Sequence, residues 1–106
     1  MTTKPTAIGY LRKDISGFSQ MWDETQMRSL AKRLGYNLTK TVTFGPETDH
    51  PLTRLLNVVR HLAVDAVITP ALNHLDGQIP DELKTAAIEV VTVNPEHTYA
   101  RWPLPV

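Results

Sequence analysis

The sequence contains no cysteine. Disulfide bonds, zinc sites built on thiolates and cysteine nucleophiles are therefore excluded. No apolar run approaches the ~20 residues needed to cross a bilayer, and residues 1–5 lack the apolar segment of a secretory signal. We therefore expect a cytoplasmic protein that has no contact with membranes.

An excess of charge of either sign is also lacking. Eleven Lys and Arg residues balance eleven Asp and Glu residues, and the basic residues form no run. Non-specific DNA binding depends on Lys and Arg side chains that neutralise phosphates. We therefore do not expect this chain to bind nucleic acid without a partner.

The composition is that of one ordinary globular domain. Hydrophobic residues make up 42% of the chain and charged residues 21%, and 106 residues leave room for a single core. We expect residues 1–95 to form this domain. Residues 96–106, which contain Trp102 and two prolines, are expected to form an extended tail that docks on its own domain or on a partner.

Four short segments, residues 7–11, 38–44, 64–69 and 88–93, have the apolar or β-branched composition of buried strands. Helix signals separate them. Ser19 is expected to cap a helix that ends at Gly35, Pro51 begins a second helix, and Pro80 begins a short third helix that reaches Ala87. The order β-α-β-α-β-α-β predicts a three-layer α/β/α fold with a four-stranded, mainly parallel sheet.

Polar chemistry in such a sheet collects at the carboxyl ends of the strands. Residues 12–19, 45–50, 70–77 and 94–98 follow the four strands, so we expect any small-ligand site there. The polar side chains available in these segments include Arg12, Asp14, Ser16, Asp49, His50, His74, Asp76 and His97. The histidines lack the close pairing typical of zinc sites, so surface or capping roles are the default for them, as turn and cap roles are for the aspartates.

Several short motifs occur in order along residues 7–93. They are Ile8-Gly9-Tyr10-Leu11-Arg12, Gln26-Met27-Arg28-Ser29-Leu30, Leu34-Gly35-Tyr36, Pro51-Leu52-Thr53-Arg54-Leu55-Leu56 and Ala71-Leu72-Asn73-His74-Leu75. Their order and spacing resemble the catalytic domain of the resolvase/invertase class of serine recombinases. The resemblance implies a flavodoxin-like arrangement of strands and helices.

The resemblance also implies that the residues which cut DNA are missing. The family's nucleophilic serine comes two residues after the arginine of its Tyr-x-Arg motif, where this sequence has Asp14. Two family arginines that clamp the phosphate correspond to His74 and Gly77, and a third falls at Asp49 or His50, so only Arg12 remains. Phosphoryl transfer needs positioned cations to stabilise spreading negative charge. We therefore expect no catalytic residues and no cofactor.

The expected function is a catalytically inactive binding or regulatory module that contacts an unknown protein, which includes the option of a homo-oligomer. The alternative is an enzyme or sensor for a small anionic ligand, such as phosphate or a nucleotide, or for a metal, although no glycine-rich phosphate loop is present. Arg12 would bind the anion in that case, or else pair with Asp14 or another loop carboxylate. Ser16 would be a substitute nucleophile or, by default, a loop serine.

Overall fold

The computed structural model describes residues 4–86 and 88–99. The elements in chain order are β1 (Thr6–Arg12), α1 (Lys13–Ser16), a 3-10 turn (Gly17–Ser19), α2 (Gln20–Leu34), β2 (Asn37–Phe44), α3 (Pro51–Leu62), β3 (Ala66–Thr69), a second 3-10 turn (Leu72–Leu75), α4 (Asp81–Thr85), β4 (Glu89–Thr92) and β5 (His97–Tyr99). No helix among these residues is long and apolar enough to span a bilayer.

The sheet is mainly parallel and lies between two helical layers, which confirms the predicted fold class. Its strand order is β2-β1-β3-β4-β5, and only β5 is antiparallel to its neighbour. Successive side chains of a strand point to opposite faces, so β1 contributes to two cores. Tyr10 packs with Leu55 of α3 on one face, whereas Leu11 packs with Met27 and Leu30 of α2 on the other.

The fifth strand was not predicted. Residues 97–99 were expected to belong to a tail, but they pair with β4, with His97 opposite Thr92. The turn between the two strands contains Pro95, and the Thr92 hydroxyl donates a hydrogen bond to the Pro95 carbonyl at 2.6 Å. Residues 100–106 of the expected tail, including Trp102, lie outside the described residues.

The segment after β1 is helical rather than a loop. Residues 13–19 form α1 and the first 3-10 turn, which leads directly into α2. Ser19 precedes α2, as predicted, but its side chain makes no capping hydrogen bond. Gly35 ends α2 with a φ of 83°, the left-handed conformation that was expected there. Helix α4 ends at Thr85, earlier than predicted, and Ala87 lies outside the described residues.

A candidate binding site at the carboxyl edge of the sheet

Arg12 is the last residue of β1, and its guanidinium is held by two carboxylates. Its Nε and Nη2 atoms donate to Asp14 Oδ1 and Oδ2 at 3.3 and 2.7 Å, which is a bidentate fork. Its Nη1 atom donates to Asp76 Oδ1 at 3.2 Å. Asp14 comes from α1, whereas Asp76 comes from the left-handed turn that it forms with Gly77, where φ is 61° and 86°. Of the two alternatives that the sequence left open for Arg12, anion binding or pairing with a loop carboxylate, the structure shows the pairing, with both Asp14 and Asp76.

The pairing makes this strand end electrostatically unsuitable for an anion. The hydrogen bond from Arg12 lowers the pKa of Asp14, and the same bond raises the pKa of Arg12, so both groups are charged at neutral pH. Two carboxylates around one guanidinium leave a net negative charge. A phosphate that approached Arg12 would meet the negative charge of both carboxylates.

His74 is buried, which corrects the expectation of a surface or capping histidine. Only 3% of its surface is exposed, and its Nδ1 atom accepts a hydrogen bond from the backbone N–H of Arg12 at 3.0 Å. Burial lowers the pKa of His74, and the charge of Arg12 lowers it further, against the opposing effect of Asp23 and Asp14. His74 is therefore neutral at pH 7, and its proton lies on Nε2 because Nδ1 is an acceptor.

The hydroxyl of Ser16 pairs with a carboxylate. It donates to Asp23 Oδ2 of α2 at 2.7 Å. The arrangement ties the end of α1 to the first turn of α2, which is the role of a structural serine. Asp23 adds negative charge where a DNA-cleaving serine needs positive charge to receive a phosphate.

Ser16 and Asp23 line a cavity of about 250 Å³ that opens at the carboxyl edge of the sheet. Residues that follow β1, β3 and β4 meet here with the first turns of α2, as predicted for a small-ligand site. The lining consists of Ile15, Ser16, Ser19, Trp22, Asp23, Gln26, Pro70, Ala71, Asn73, His74, Val93 and Asn94. Asp23 is the only acidic residue among these, and the lining includes no Lys or Arg.

The other histidines and aspartates considered above do not join this cavity. His50 is exposed at the start of α3, and His97 is exposed on β5, where its ring lies 4.4 Å from that of Tyr99. Asp49 contributes its backbone carbonyl to Arg54 Nε at 2.8 Å. Within the described residues no three His, Cys, Asp or Glu side chains are placed to hold a metal ion. His50, His74 and His97 therefore do not form a metal site within the described residues, the minor alternative that their places at one edge of the predicted sheet left open.

An exposed apolar patch adjoins the cavity, and the sequence analysis missed it. Phe18, Met21 and Trp22 are 111, 81 and 66% exposed, and Trp22 also lines the cavity. The signal was present in the sequence, because positions i, i+3 and i+4 share a helical face. Met21 and Trp22 lie off the stripe of α2 that packs on the sheet, and Phe18 lies in the 3-10 turn before the helix, so the three were not recognised as one surface.

No protein-family model and no curated protein sequence matches the chain. Several solved structures do resemble it. The N-terminal catalytic domain of TP901-1 integrase matches with a TM-score of 0.68 and 20% identity, over 88% of this chain and 80% of that one. A resolvase family site-specific recombinase from Streptococcus pneumoniae matches with a TM-score of 0.72 and 13% identity, over 91% and 76%. The C-terminal catalytic domain of ISC1926 TnpA, an IS607-like serine recombinase, matches with a TM-score of 0.65 and 15% identity, over 83% and 67%.

The chain therefore has the fold of serine recombinase catalytic domains. This confirms the fold that the motif order implied.

Proposed function

We propose that this chain, which has a recombinase catalytic fold, does not cleave DNA and acts instead by binding another protein. The single observation that carries the proposal is the closed ion-pair cluster at the end of β1. Arg12 is the one arginine left from the family pattern, and Asp14 and Asp76 occupy three of its five N–H donors. A scissile phosphate at this edge would meet net negative charge.

Ser16, which the sequence offers as a substitute nucleophile, supports the same proposal. Ser16 donates a hydrogen bond to Asp23, and no Lys or Arg is among the described residues that line their shared cavity. One catalytic arginine is worth on the order of 10³-fold or more in phosphoryl transfer. A serine paired with a carboxylate and without such a cation lacks the electrostatic stabilisation that strand cleavage requires.

Strand cleavage is tested by incubating the full chain with a library of duplex DNA fragments and separating the products under denaturing conditions. A serine recombinase intermediate would appear as a covalent protein–DNA adduct. We expect none. An adduct that forms with the wild-type chain and disappears in Ser16→Ala would overturn the proposal.

Protein binding is supported by the apolar patch of Phe18, Met21 and Trp22. Contiguous exposed aromatic and apolar side chains are typical of interaction surfaces rather than of free surface. To test this, Phe18 is replaced by the photoreactive p-benzoylphenylalanine in the native cell, with the same replacement at exposed Lys32 of α2 as the matched control. We expect discrete protein adducts from position 18 and none from position 32. An excess of the unmodified chain should suppress these adducts. A second copy of the chain counts as a partner. Equal labelling from both positions would contradict the proposal.

The alternative of an anion sensor is disfavoured by the same geometry. Arg12 is paired outside the cavity, His74 is neutral, and Asp23 would repel an anion inside it. A metal sensor lacks a cluster of ligands within residues 4–86 and 88–99.

A further inference from the structure

The cavity and the apolar patch meet at one residue. Trp22 lines the cavity on one side and continues the exposed surface of Phe18 and Met21 on the other. A partner that covers the patch would therefore pass directly over the mouth of the cavity. Its chemistry must suit both surfaces at once.

The charge of the cavity is negative. Asp23 is the single charged side chain among the described residues that line the cavity, and neutral His74 adds no compensating charge. Asp23 Oδ2 already accepts one hydrogen bond, from Ser16. An ionised carboxylate has about four lone-pair sites, so Asp23 retains capacity to accept further donors. Gln26, Asn73 and Asn94 also line the cavity, and their side-chain amides are able to accept further hydrogen bonds.

We propose that this cavity receives an arginine side chain of a partner protein, whose neighbouring apolar residues cover Phe18 and Met21. The guanidinium would donate to the Asp23 carboxylate and stack on the indole of Trp22. This inference rests on the proposed protein-binding function and names the chemistry of the partner.

Arginine fits better than the other cationic side chain. Its planar guanidinium stacks on aromatic faces and donates several hydrogen bonds in a fixed fork, whereas lysine presents a strongly hydrated point charge. Tryptophan is also the best aromatic partner for a cation, within ~6 Å of the ring centre. Trp and Arg are the residues most enriched at the energetic centres of protein interfaces, and such centres lie in pockets surrounded by apolar contacts.

The test uses a defined probe, the peptide acetyl-Ala-Leu-Arg-Leu-Ala-amide, titrated into the ¹⁵N-labelled full chain. The indole N–H signal of Trp22, assigned with Trp22→Phe, reports binding at the cavity. The matched control peptide carries citrulline, which has the shape of arginine without its charge. Hydrogen bonds to charged groups are worth enough for us to expect about tenfold weaker binding of the citrulline peptide.

Two protein variants separate the carboxylate from general charge. Asp23→Asn still accepts the hydrogen bond from Ser16 but removes the charge, so we expect about tenfold weaker binding of the arginine peptide. Glu24→Gln makes the same charge change one residue along α2, at a position that does not line the cavity, and should bind as the wild type does. The citrulline comparison uses the wild-type protein, so it decides the matter even where Asp23→Asn fails to fold.

Three results would overturn the inference. They are no shift of the Trp22 signal with the arginine peptide, equal binding of the citrulline peptide, and equal binding of arginine amide without flanking residues, which would indicate a small-molecule site. The proposed function fails separately, through a covalent DNA adduct or through equal photolabelling from positions 18 and 32. Failure of the peptide alone therefore removes only the arginine assignment.

Discussion

At the scale of single residues, the carboxylate of Asp14 determines what the end of β1 can bind. It lies two positions beyond Arg12 and grips the guanidinium through both oxygens. Asp76 forms a second ion pair with the same guanidinium. A hydroxyl side chain at position 14 and an uncharged side chain at position 76 would leave the Arg12 guanidinium able to bind a phosphate. Local charge, rather than the shape of the fold, therefore separates the proposed binding role from DNA chemistry.

Tyr10 offers a test of residue-level energetics inside the core. Its ring packs edge-to-face with that of Phe44, with the ring centroids 5.8 Å apart. Its hydroxyl is buried and has no hydrogen-bond partner among the described residues, and burial raises its pKa to about 12. Removal of an unsatisfied hydroxyl relieves a desolvation cost. We expect Tyr10→Phe to leave the free energy of unfolding in urea unchanged or raise it by up to about 1 kcal/mol.

The matched control is Tyr36→Phe. The Tyr36 hydroxyl donates to Glu89 Oε1 at 2.8 Å, so its loss should lower the free energy of unfolding by about 1 kcal/mol. A larger loss at Tyr10 than at Tyr36 would contradict this account of the core.

His74 predicts a pH dependence of stability. Its pKa in the folded state lies below the ordinary value of 6.5, because burial and Arg12 disfavour its charged form. Between the folded pKa and 6.5 the unfolded chain binds more protons than the folded chain, so stability rises with pH. The contribution is complete above 6.5 and is lost as the pH falls toward the folded pKa.

The measurement is urea unfolding at several pH values, for the wild type and for His74→Gln, whose side-chain oxygen can still accept from the Arg12 backbone. The wild-type free energy of unfolding should fall more steeply than that of the variant as the pH drops below 6.5. Equal pH slopes would mean that His74 titrates normally in the folded protein.

At the scale of elements, β1 approaches both helix α2 and its neighbouring strand β2 closely at Gly9. A Cβ atom at Gly9 would lie 2.7 Å from Thr41 Oγ1 and 2.8 Å from Met27 Cε. Gly9→Ala should therefore lower the free energy of unfolding by about 1–3 kcal/mol, as is typical of overpacking. Thermal and urea unfolding measure the loss.

The control for Gly9 removes one of the two obstacles. Thr41→Ala in the Gly9→Ala background should recover part of the lost stability, because the remaining contact is the flexible end of Met27. If Gly9→Ala/Thr41→Ala loses as much stability as the two single variants lose together, the clash with Thr41 is not the cause of the loss in Gly9→Ala.

Elements with strong local signals could be predicted from the sequence. The apolar stripe of α2 and Gly35 at its end are examples. The helical spacing of apolar residues and the preference of glycine for a left-handed backbone are both local properties of the sequence. The three residues of β5 could not be predicted in this way. They are mostly exposed, and their pairing depends on the turn that returns the chain along β4.

The candidate site was predictable in location but not in detail. The topology places strand ends together, so the cavity lies where it was expected. The burial of His74 and the approach of Asp76 to Arg12 depend on the second 3-10 turn and the left-handed Asp76–Gly77 turn. Contacts across 62 and 64 positions of the chain leave no local pattern in the sequence.

At the scale of the whole molecule, the charge is balanced at zero. Binding to DNA through phosphates releases counterions and weakens steeply with salt. We expect no binding to labelled duplex DNA at low or at physiological salt, as measured by fluorescence anisotropy. Tight binding at low salt that weakens as salt is added would reveal a basic surface and contradict this prediction.

The central claim is that Asp14 and Asp76 prevent phosphate from binding Arg12. The side-chain Nε–H signal of Arg12 tests this claim most directly. This signal, assigned with Arg12→Lys, is followed by NMR during titration with inorganic phosphate. We expect it to stay in place in the wild type and to shift saturably in Asp14→Asn/Asp76→Asn, where the competing charges are gone. A saturable shift in the wild type would show an open cation at the strand end and contradict the account.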